Sequence, residues 1–164
     1  MPHDSLEIRE DDLSHEQTLG LLRSHLEGMH ANSPPGSVFA LDLGGLRKND
    51  VTVWTAWRGD AIAGIGALRD LGEARGEIKS MRTNPSFLRQ GVASAILEHI
   101  IDTARERGMT RLSLETGSGE AFEPALVLYR RRGFVEGEAF GDYTHSRFNL
   151  FLHLSLDPDR SAWL

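Results

Sequence analysis

The sequence predicts an α/β fold in which one mixed sheet of about six to seven strands is flanked by about four helices. Two observations carry this prediction. Residues 51–71 have the composition of a β-hairpin, and a long amphipathic helix lies between two strand-like segments farther along the chain. A strand, a crossover helix and a second strand normally make the two strands parallel. Since 164 residues suit one domain, we expect a single domain over residues 1–164.

The first half of the chain is predicted to contain a strand, two helices and a hairpin. Ser14 followed by Gln17 is a capping-box pattern, so we expect a helix to begin there. This helix should end near His30, before the breaker at Pro34 and Pro35. The other predicted elements are a strand at residues 6–9, a shorter helix at 38–46, and hairpin strands at 51–57 and 61–71 with a turn at 58–60.

The second half is predicted to contain the crossover unit and a second helix. Val92, Ile96 and Ile100 recur at helical spacing, and Gly108 is suited to end that helix. Gly133 is suited in the same way to end the next helix. The predicted elements are strands at residues 77–83, 111–116, 134–136 and 148–154, helices from about residue 89 and at 122–132, and a short C-terminal extension at 157–164.

Composition excludes several classes of protein. There is no cysteine, which removes disulfides, thiolate zinc sites and a cysteine nucleophile, and the seven histidines show no ligand spacing, so we expect no metal. A net charge of −6 argues against a nucleic-acid partner. No stretch approaches the roughly 20 apolar residues needed to span a membrane. The acidic, polar first residues do not resemble a signal peptide, so a cytoplasmic protein is expected.

The most informative stretch joins the strand that ends at Asn84 to the long helix. The free backbone N–H groups at a helix N terminus lie at the positive end of its dipole and bind phosphate groups. Gly91 and Ala93 are small, which lets the backbone approach such a ligand closely. The glycine–lysine–serine/threonine pattern of a nucleotide-triphosphate loop is missing. The predicted pyrophosphate contacts are Arg89, Gln90, Gly91, Val92, Ala93 and Ser94.

Two stretches carry a family resemblance. Residues 88–93 (LRQGVA) match in part the pattern Gln/Arg-x-x-Gly-x-Gly/Ala, with Leu88 at the leading position. Residues 125–134 (ALVLYRRRGF) match Ala-x-x-Leu-Tyr-x-x-x-Gly-Phe, and Phe122 stands where a polar Asn usually opens the helix. The chain therefore resembles the GCN5-related N-acetyltransferase (GNAT) superfamily over nearly its whole length. Residues 76–82, 88–93 and 113–124 are also similar to bacterial acetyltransferases of the YsnE type.

The resemblance implies a sheet that splays at its centre, with acetyl-CoA as cosubstrate. The pantetheine arm would pair with the strand before the phosphate turn, which nominates Met81, Arg82 and Thr83. A backbone N–H near Met81 would bind the thioester oxygen. Tyr129 matches the family tyrosine that protonates the departing thiolate. Glu77 matches the position of the general-base glutamate in the histone-acetyltransferase branch.

The sequence leaves the identity of the acceptor substrate open. By resemblance, the first two helices and the final hairpin would line its cleft, which nominates His25, His30, Glu115 and Thr116, with Trp57, Tyr143 and His145 as further candidates. The leading hypothesis is an N-acetyltransferase that acts on a small primary amine. A protein N-terminal or lysine acetyltransferase is the alternative within enzymes. The departures at Leu88 and Phe122 leave a non-catalytic acyl-CoA-binding sensor open. The predicted edge strand at 148–154 would offer a surface for a homodimer.

Overall fold

A computed structural model describes residues 5–34 and 43–156, which form a seven-stranded sheet with helices on both faces. The strands are β1 (Leu6–Glu10), β2 (Val51–Arg58), β3 (Ala61–Gly72), β4 (Arg75–Thr83), β5 (Arg111–Gly117), β6 (Val135–Glu136) and β7 (Asn149–Ser155). The helices are α1 (Glu16–Ala31), α2 (Leu43–Leu46), α3 (Val92–Glu106) and α4 (Glu123–Arg132). Short 3₁₀ turns occupy Pro85–Phe87 and Glu120–Phe122.

The sheet is mixed and open at its centre, which confirms the predicted fold class. The strand order is β1-β2-β3-β4-β5-β7-β6, and β4 and β5 form the parallel pair that the crossover helix requires. These two strands pair only from Arg75 with Arg111 to Glu77 with Ser113. Beyond Glu77 they separate, and a gap opens between the two halves of the sheet.

The two faces of the sheet have separate apolar cores. The α3 and α4 side contains Ile96, Ile100 and Ile101 of α3, Leu126 and Tyr129 of α4, and the inward residues of the central strands, Ile78, Leu112 and Leu114. The α1 and α2 side contains Leu21, Leu22, Leu46, Val53, Trp57, Ile62 and Ile65. Burial of these side chains is the main favourable contribution to folding and fixes the helices on the sheet.

A β-bulge in β4 sets which side chains face which core. Across from β3, Ile65 pairs with Arg82 and Ala67 with Lys79, so Ser80 and Met81 together oppose Gly66. Ser80 has a left-handed backbone with φ of 59°, which is unfavourable for a residue with a Cβ. The extra residue changes the alternation of the strand. Ile78 and Met81 both face α3, whereas Glu77, Lys79 and Arg82 face α1.

Two helix starts differ from the prediction, both because of local hydrogen bonding or backbone geometry. The hydroxyl of Ser14 donates to Asp12 Oδ1 at 2.5 Å, and His15 is the residue that caps α1 by accepting from the Gln17 N–H at 3.1 Å. The second difference concerns α3, which begins at Val92 because the preceding turn contains left-handed residues.

Three further predictions concern an edge strand, a short helix and the C-terminal extension. The strand predicted at 148–154 is not an edge strand, since β7 lies between β5 and the two-residue β6. This removes the basis on which a homodimer was predicted. Of the short helix predicted at 38–46, the structure describes α2, and residues 38–42 lie outside the described residues, as does the 157–164 extension. Among the described helices, none has the length and apolarity that a membrane crossing needs.

Candidate active site

A cleft of about 1140 Å³ lies along the end of β4, beyond the part of the strand that pairs with β5. On the α3 and α4 side its walls are the end of β4, the turn before α3, and the first turns of α4; on the other side they come from α1. Most of the predicted donor-side residues line it, namely Met81, Arg82, Thr83, Arg89, Gly91, Val92, Ala93, Ser94 and Tyr129. Gln90 is not among the lining residues, and its carbonyl instead accepts a long hydrogen bond of 3.4 Å from Arg58.

The turn before α3 has the backbone geometry of an anion site. Arg89 and Gly91 are left-handed, with φ of 63° and 79°. Gly91 is the N-cap of α3 and makes no side-chain capping hydrogen bond, so the N–H groups of the first helical turn are left for a ligand. Asn84 fixes the approach to the turn, since its side chain donates to Ile62 O at 2.8 Å and accepts from the Ser86 N–H at 3.1 Å.

Two apolar side chains replace the polar groups that the family motifs favour. Leu88 is 57% exposed at the rim of the cleft and has no group that can bind phosphate. Phe122 lines the cleft just before α4 and packs edge-to-face on Phe148, with ring centroids 5.4 Å apart. Polar contacts to a donor at these two positions therefore have to come from backbone groups.

Tyr129 of α4 lies beside the cleft with only 5% of its surface exposed. Its ring packs edge-to-face on Phe134 at 5.5 Å, and the Phe134 N–H donates to the Tyr129 carbonyl at 3.0 Å. The left-handed Gly133 permits this tight end of α4. Burial raises the pKa of the Tyr129 phenol, so the hydroxyl stays protonated across the physiological range.

A hydrogen-bonded cluster of ionisable side chains lies on the α1 face, where β4 and β5 begin to separate. Glu77 is 1% exposed, and its Oε2 accepts from the Tyr143 hydroxyl at 2.5 Å and from Lys79 Nζ at 3.2 Å. Lys79 also donates to the Tyr143 hydroxyl at 2.6 Å. Since buried charges are tolerated when they are paired, this arrangement explains how Glu77 and Lys79 are both accommodated. Glu77 does not line the cleft.

Glu115 of β5 belongs to the same cluster. Leu112 and Leu114 face the α3 core, so alternation places Glu115 on the α1 face with Glu77 and Lys79. Burial raises the pKa of Glu115 to about 7, and the negative charge of Glu77 adds to the increase. The positive charge of Lys79 and a hydrogen bond from Asn149 act in the opposite direction. A carboxyl group with this pKa can exchange a proton near neutral pH.

The α1 wall of the cleft contains His25 and Arg82. A Cβ added to Gly28 would lie 3.2 Å from Arg82 Nη1, which places the guanidinium directly against α1. Burial lowers the pKa of His25 to about 4, and the positive charge of Arg82 lowers it further. His25 is therefore neutral at physiological pH. Arg82 Nε is buried and has no hydrogen-bond partner among residues 5–34 and 43–156.

The remaining acceptor candidates lie elsewhere. His30 is exposed in the last turn of α1, and Thr116 is buried in β5; like Glu115, neither lines the cleft. Lys79 and Asn149 are functional candidates that sequence reasoning missed. A signal existed for Lys79, because two residues that are two apart in a strand share a face and Glu77 was already a candidate. In the part of the chain that the structure describes, no group of three or more His, Asp or Glu side chains could hold a metal ion.

Sequence comparison gives the same class of protein as the fold and the cleft, an N-acetyltransferase. The family model described as "Acetyltransferase (GNAT) family" matches residues 17–134, and the chain belongs to this family. The uncharacterized N-acetyltransferase YsnE of Bacillus subtilis is 49% identical over 147 residues, which cover 90% of this chain and 97% of YsnE. The uncharacterized N-acetyltransferase YedL of Escherichia coli is 47% identical over 149 residues, covering 91% and 94% of the two chains.

Solved structures share the fold at lower sequence identity. A Klebsiella pneumoniae protein described as an acyl-CoA N-acyltransferase has a TM-score of 0.78 at 24% identity, covering 94% of this chain and 99% of its own. A Bacillus subtilis acetyltransferase in complex with CoA has a TM-score of 0.68 at 20% identity, covering 93% and 99%. The GNAT resemblance inferred from the two short motifs is thereby confirmed.

Proposed function

We propose that this enzyme transfers an acetyl group from acetyl-CoA to the primary amine of a small metabolite by direct attack. The observation that carries the proposal is the cleft itself. It joins the turn before α3 and the protonated Tyr129 on one face of the sheet to the α1 wall on the other face; the carboxyl groups of Glu77 and Glu115 lie outside its lining, near the point where β4 and β5 separate. The CoA bound in the Bacillus subtilis structure supports the choice of donor. A cytoplasmic location remains a prediction.

The donor would be held mainly by backbone groups. The pyrophosphate would accept hydrogen bonds from the N–H groups that follow Gly91, where the helix dipole adds to the attraction. The pantetheine arm would lie along the unpaired part of β4, at Met81 and Thr83. The bulge at Ser80 turns the strand at this point, and a backbone N–H near Met81 would stabilise the thioester oxygen as it gains negative charge.

Two carboxyl groups are candidates for the general base. Glu77, the residue proposed from sequence, is 1% exposed, lies outside the cleft lining, and its Oε2 already accepts hydrogen bonds from both Tyr143 and Lys79. Glu115 has a pKa of about 7 and can take a proton from a protonated amine near neutral pH. We therefore propose Glu115 as the base, with Glu77 setting the charge around it.

The proposed transfer balances as follows. The neutral amine nitrogen attacks the carbonyl carbon of the thioester, a C–N bond forms, and the C–S bond breaks. The nitrogen loses one proton, which would pass through water to the Glu115 carboxylate because Glu115 does not line the cleft. Burial keeps the Tyr129 hydroxyl protonated before the transfer. The departing thiolate would receive that proton, and the proton taken up by the Glu115 carboxylate would return to Tyr129 through solvent.

The proposal is tested by incubating the protein with acetyl-CoA and a panel of small amines while free thiol is measured. We expect thiol release that requires an amine, and we expect Tyr129→Phe to lower kcat by about 10- to 100-fold. CoA binding by calorimetry and thermal unfolding of the variant serve as controls, since loss of one hydroxyl should leave both close to wild type.

The alternatives give different results in the same assay. Tight CoA binding without turnover of any amine or peptide would favour the sensor. Turnover restricted to peptide N termini or to lysine side chains in proteins would favour the protein acetyltransferase.

A further inference from the structure

We propose that the acceptor is an amino acid, whose carboxylate is bound by the Arg82 guanidinium while its amine points toward Glu115. The inference rests on the proposed function, because it names the substrate class of the same cleft. It assigns Arg82 a side-chain role on the acceptor side that is separate from the backbone role expected for β4 on the donor side.

Arg82 is placed for this role by the bulge in β4. The extra residue at Ser80–Met81 turns the Met81 side chain toward α3 and the Arg82 side chain toward α1. Arg82 therefore lines the α1 wall of the cleft, on the face opposite the α3 and α4 core. Without the bulge, simple alternation would put Arg82 on the same face as Ile78.

Among the described residues, no salt bridge includes the Arg82 guanidinium. Arg82 is partly buried, and its Nε atom is buried with no hydrogen-bond partner within residues 5–34 and 43–156, which is costly for a charged group. The neighbouring His25 is neutral or cationic at every pH and cannot supply a negative charge. Glu77 is already paired with Lys79. A carboxylate on the substrate would satisfy the guanidinium with the bidentate geometry that arginine favours.

The charges on the α1 face are arranged in a way that suits a zwitterion. Arg82 supplies positive charge where the cleft meets α1, and the carboxyl groups of Glu77 and Glu115 lie toward the point where β4 and β5 separate. Lys79 offsets one of these two carboxyl groups. A ligand with an amine at one end and a carboxylate at the other matches both ends, whereas a polyamine would place a cation against Arg82.

The test compares amino acids with the amines that lack only the carboxylate. Suitable pairs are glycine and methylamine, L-phenylalanine and phenethylamine, and γ-aminobutyrate and propylamine. We expect kcat/KM to favour the amino acid by at least about tenfold in one or more pairs, since a charge-assisted hydrogen bond contributes an effect of this order. Arg82→Gln should remove the preference mainly through KM, and Arg82→Lys should retain part of it. Arg105→Gln, on the exposed face of α3, is the matched control and should retain the full preference.

Three results would overturn the inference. Wild-type enzyme could acetylate amines with no preference for the carboxylate, the preference could survive in Arg82→Gln, or Arg82→Gln could weaken CoA binding by the same factor as amino-acid turnover. The third result would assign the guanidinium to a phosphate of the donor. In all three cases amine acetylation itself persists, so the proposed function stands. If neither member of any pair is acetylated and no other amine is, both proposals fail together.

Discussion

The two sides of the cleft differ in whether backbone groups or side-chain groups form them. The donor side depends on the main chain: a left-handed turn, an uncapped helix N terminus and a bulged strand, with the small residues Gly91 and Ala93 at the closest approach. The proposed acceptor side depends on ionisable side chains of the α1 face: Arg82 lines the cleft, and Glu77, Lys79 and Glu115 lie outside its lining, near the point where β4 and β5 separate. In the proposed function, one side would act through backbone conformation and the other through charge.

This difference determines how each side should respond to change. A backbone site is sensitive to anything that alters φ or fills the space above the turn, but tolerates many side chains, as Leu88 illustrates. A cluster of buried charges is sensitive to pH and to removal of a single partner, because each group sets the charge balance of the others. The predictions below test this contrast.

The largest effect is expected for Gly91→Glu on the donor side. The substitution places a Cβ at φ of 79° and a negative charge where the pyrophosphate would bind. We expect CoA affinity to fall by more than about 100-fold, as measured by calorimetry, because both the backbone geometry and the electrostatic attraction are lost. The protein should remain folded, since a Cβ at Gly91 meets no atom within 4 Å.

Gly72→Glu is the matched control. Gly72 has φ of 80°, also has open space around it, and lies in the turn between β3 and β4 outside the cleft. It should show the same loss of stability, about 1 to 2 kcal/mol, with no loss of CoA affinity. Equal CoA affinity in both variants would contradict the placement of the phosphates on this turn.

The next largest effect is expected for Glu115→Gln on the acceptor side. A base with a pKa of about 7 makes kcat/KM rise with pH through that value. The amide cannot accept the proton, so we expect about a 100-fold decrease in kcat/KM above pH 7 and loss of this limb of the pH profile. Glu106→Gln, in the last turn of α3 and outside the cleft lining, should leave the profile unchanged. A limb that persists in Glu115→Gln but disappears in Glu77→Gln would return the role of base to Glu77.

The raised pKa of Glu115 also predicts how the free energy of unfolding depends on pH, and Glu115→Gln tests this prediction. The pKa of Glu115 in the folded protein is raised above the ordinary value of 4.5, so folding favours the uncharged form. Its contribution to stability is complete below pH 4.5 and is lost as the pH rises through about 7. Relative to wild type, Glu115→Gln should therefore gain stability in urea unfolding at pH 8 compared with pH 4.5. An equal difference between the two proteins at both pH values would contradict the raised pKa.

The contrast between the two sides also explains how far the sequence could be interpreted. The donor side was predictable because its geometry is encoded within a few consecutive residues, with glycine required at a left-handed position and small residues after it. The motif around Tyr129 is equally local. The fold followed from periodicity and from the crossover between two strand-like segments.

The acceptor side was predictable only in part. Tyr143 and Glu77 are 66 residues apart in sequence and meet only through tertiary packing, so no local pattern records their hydrogen bond. The orientation of Arg82 depends on the bulge at Ser80, and a serine gives no sign of a left-handed backbone. The Ser14 cap failed for a local reason, since Asp12, two residues earlier, accepts a hydrogen bond from the same hydroxyl and His15 caps α1 instead.

The smallest effect is expected at the bulge in β4. There Ser80 holds a left-handed backbone conformation that its Cβ disfavours, so it tests directly whether the donor side depends on backbone or on side-chain groups. Its φ is 59°, and its buried hydroxyl has no hydrogen-bond partner among the described residues. Ser80→Gly should relieve the left-handed strain and increase the free energy of unfolding by about 1 kcal/mol, which raises Tm by roughly 2 to 4 °C in a chain of this size. Ser80→Ala removes the hydroxyl but keeps the Cβ, so it should be less stable than Ser80→Gly. If Ser80→Gly proves less stable than wild type, the serine side chain itself stabilises the bulge. The donor side would then depend on side chains as well as on the backbone.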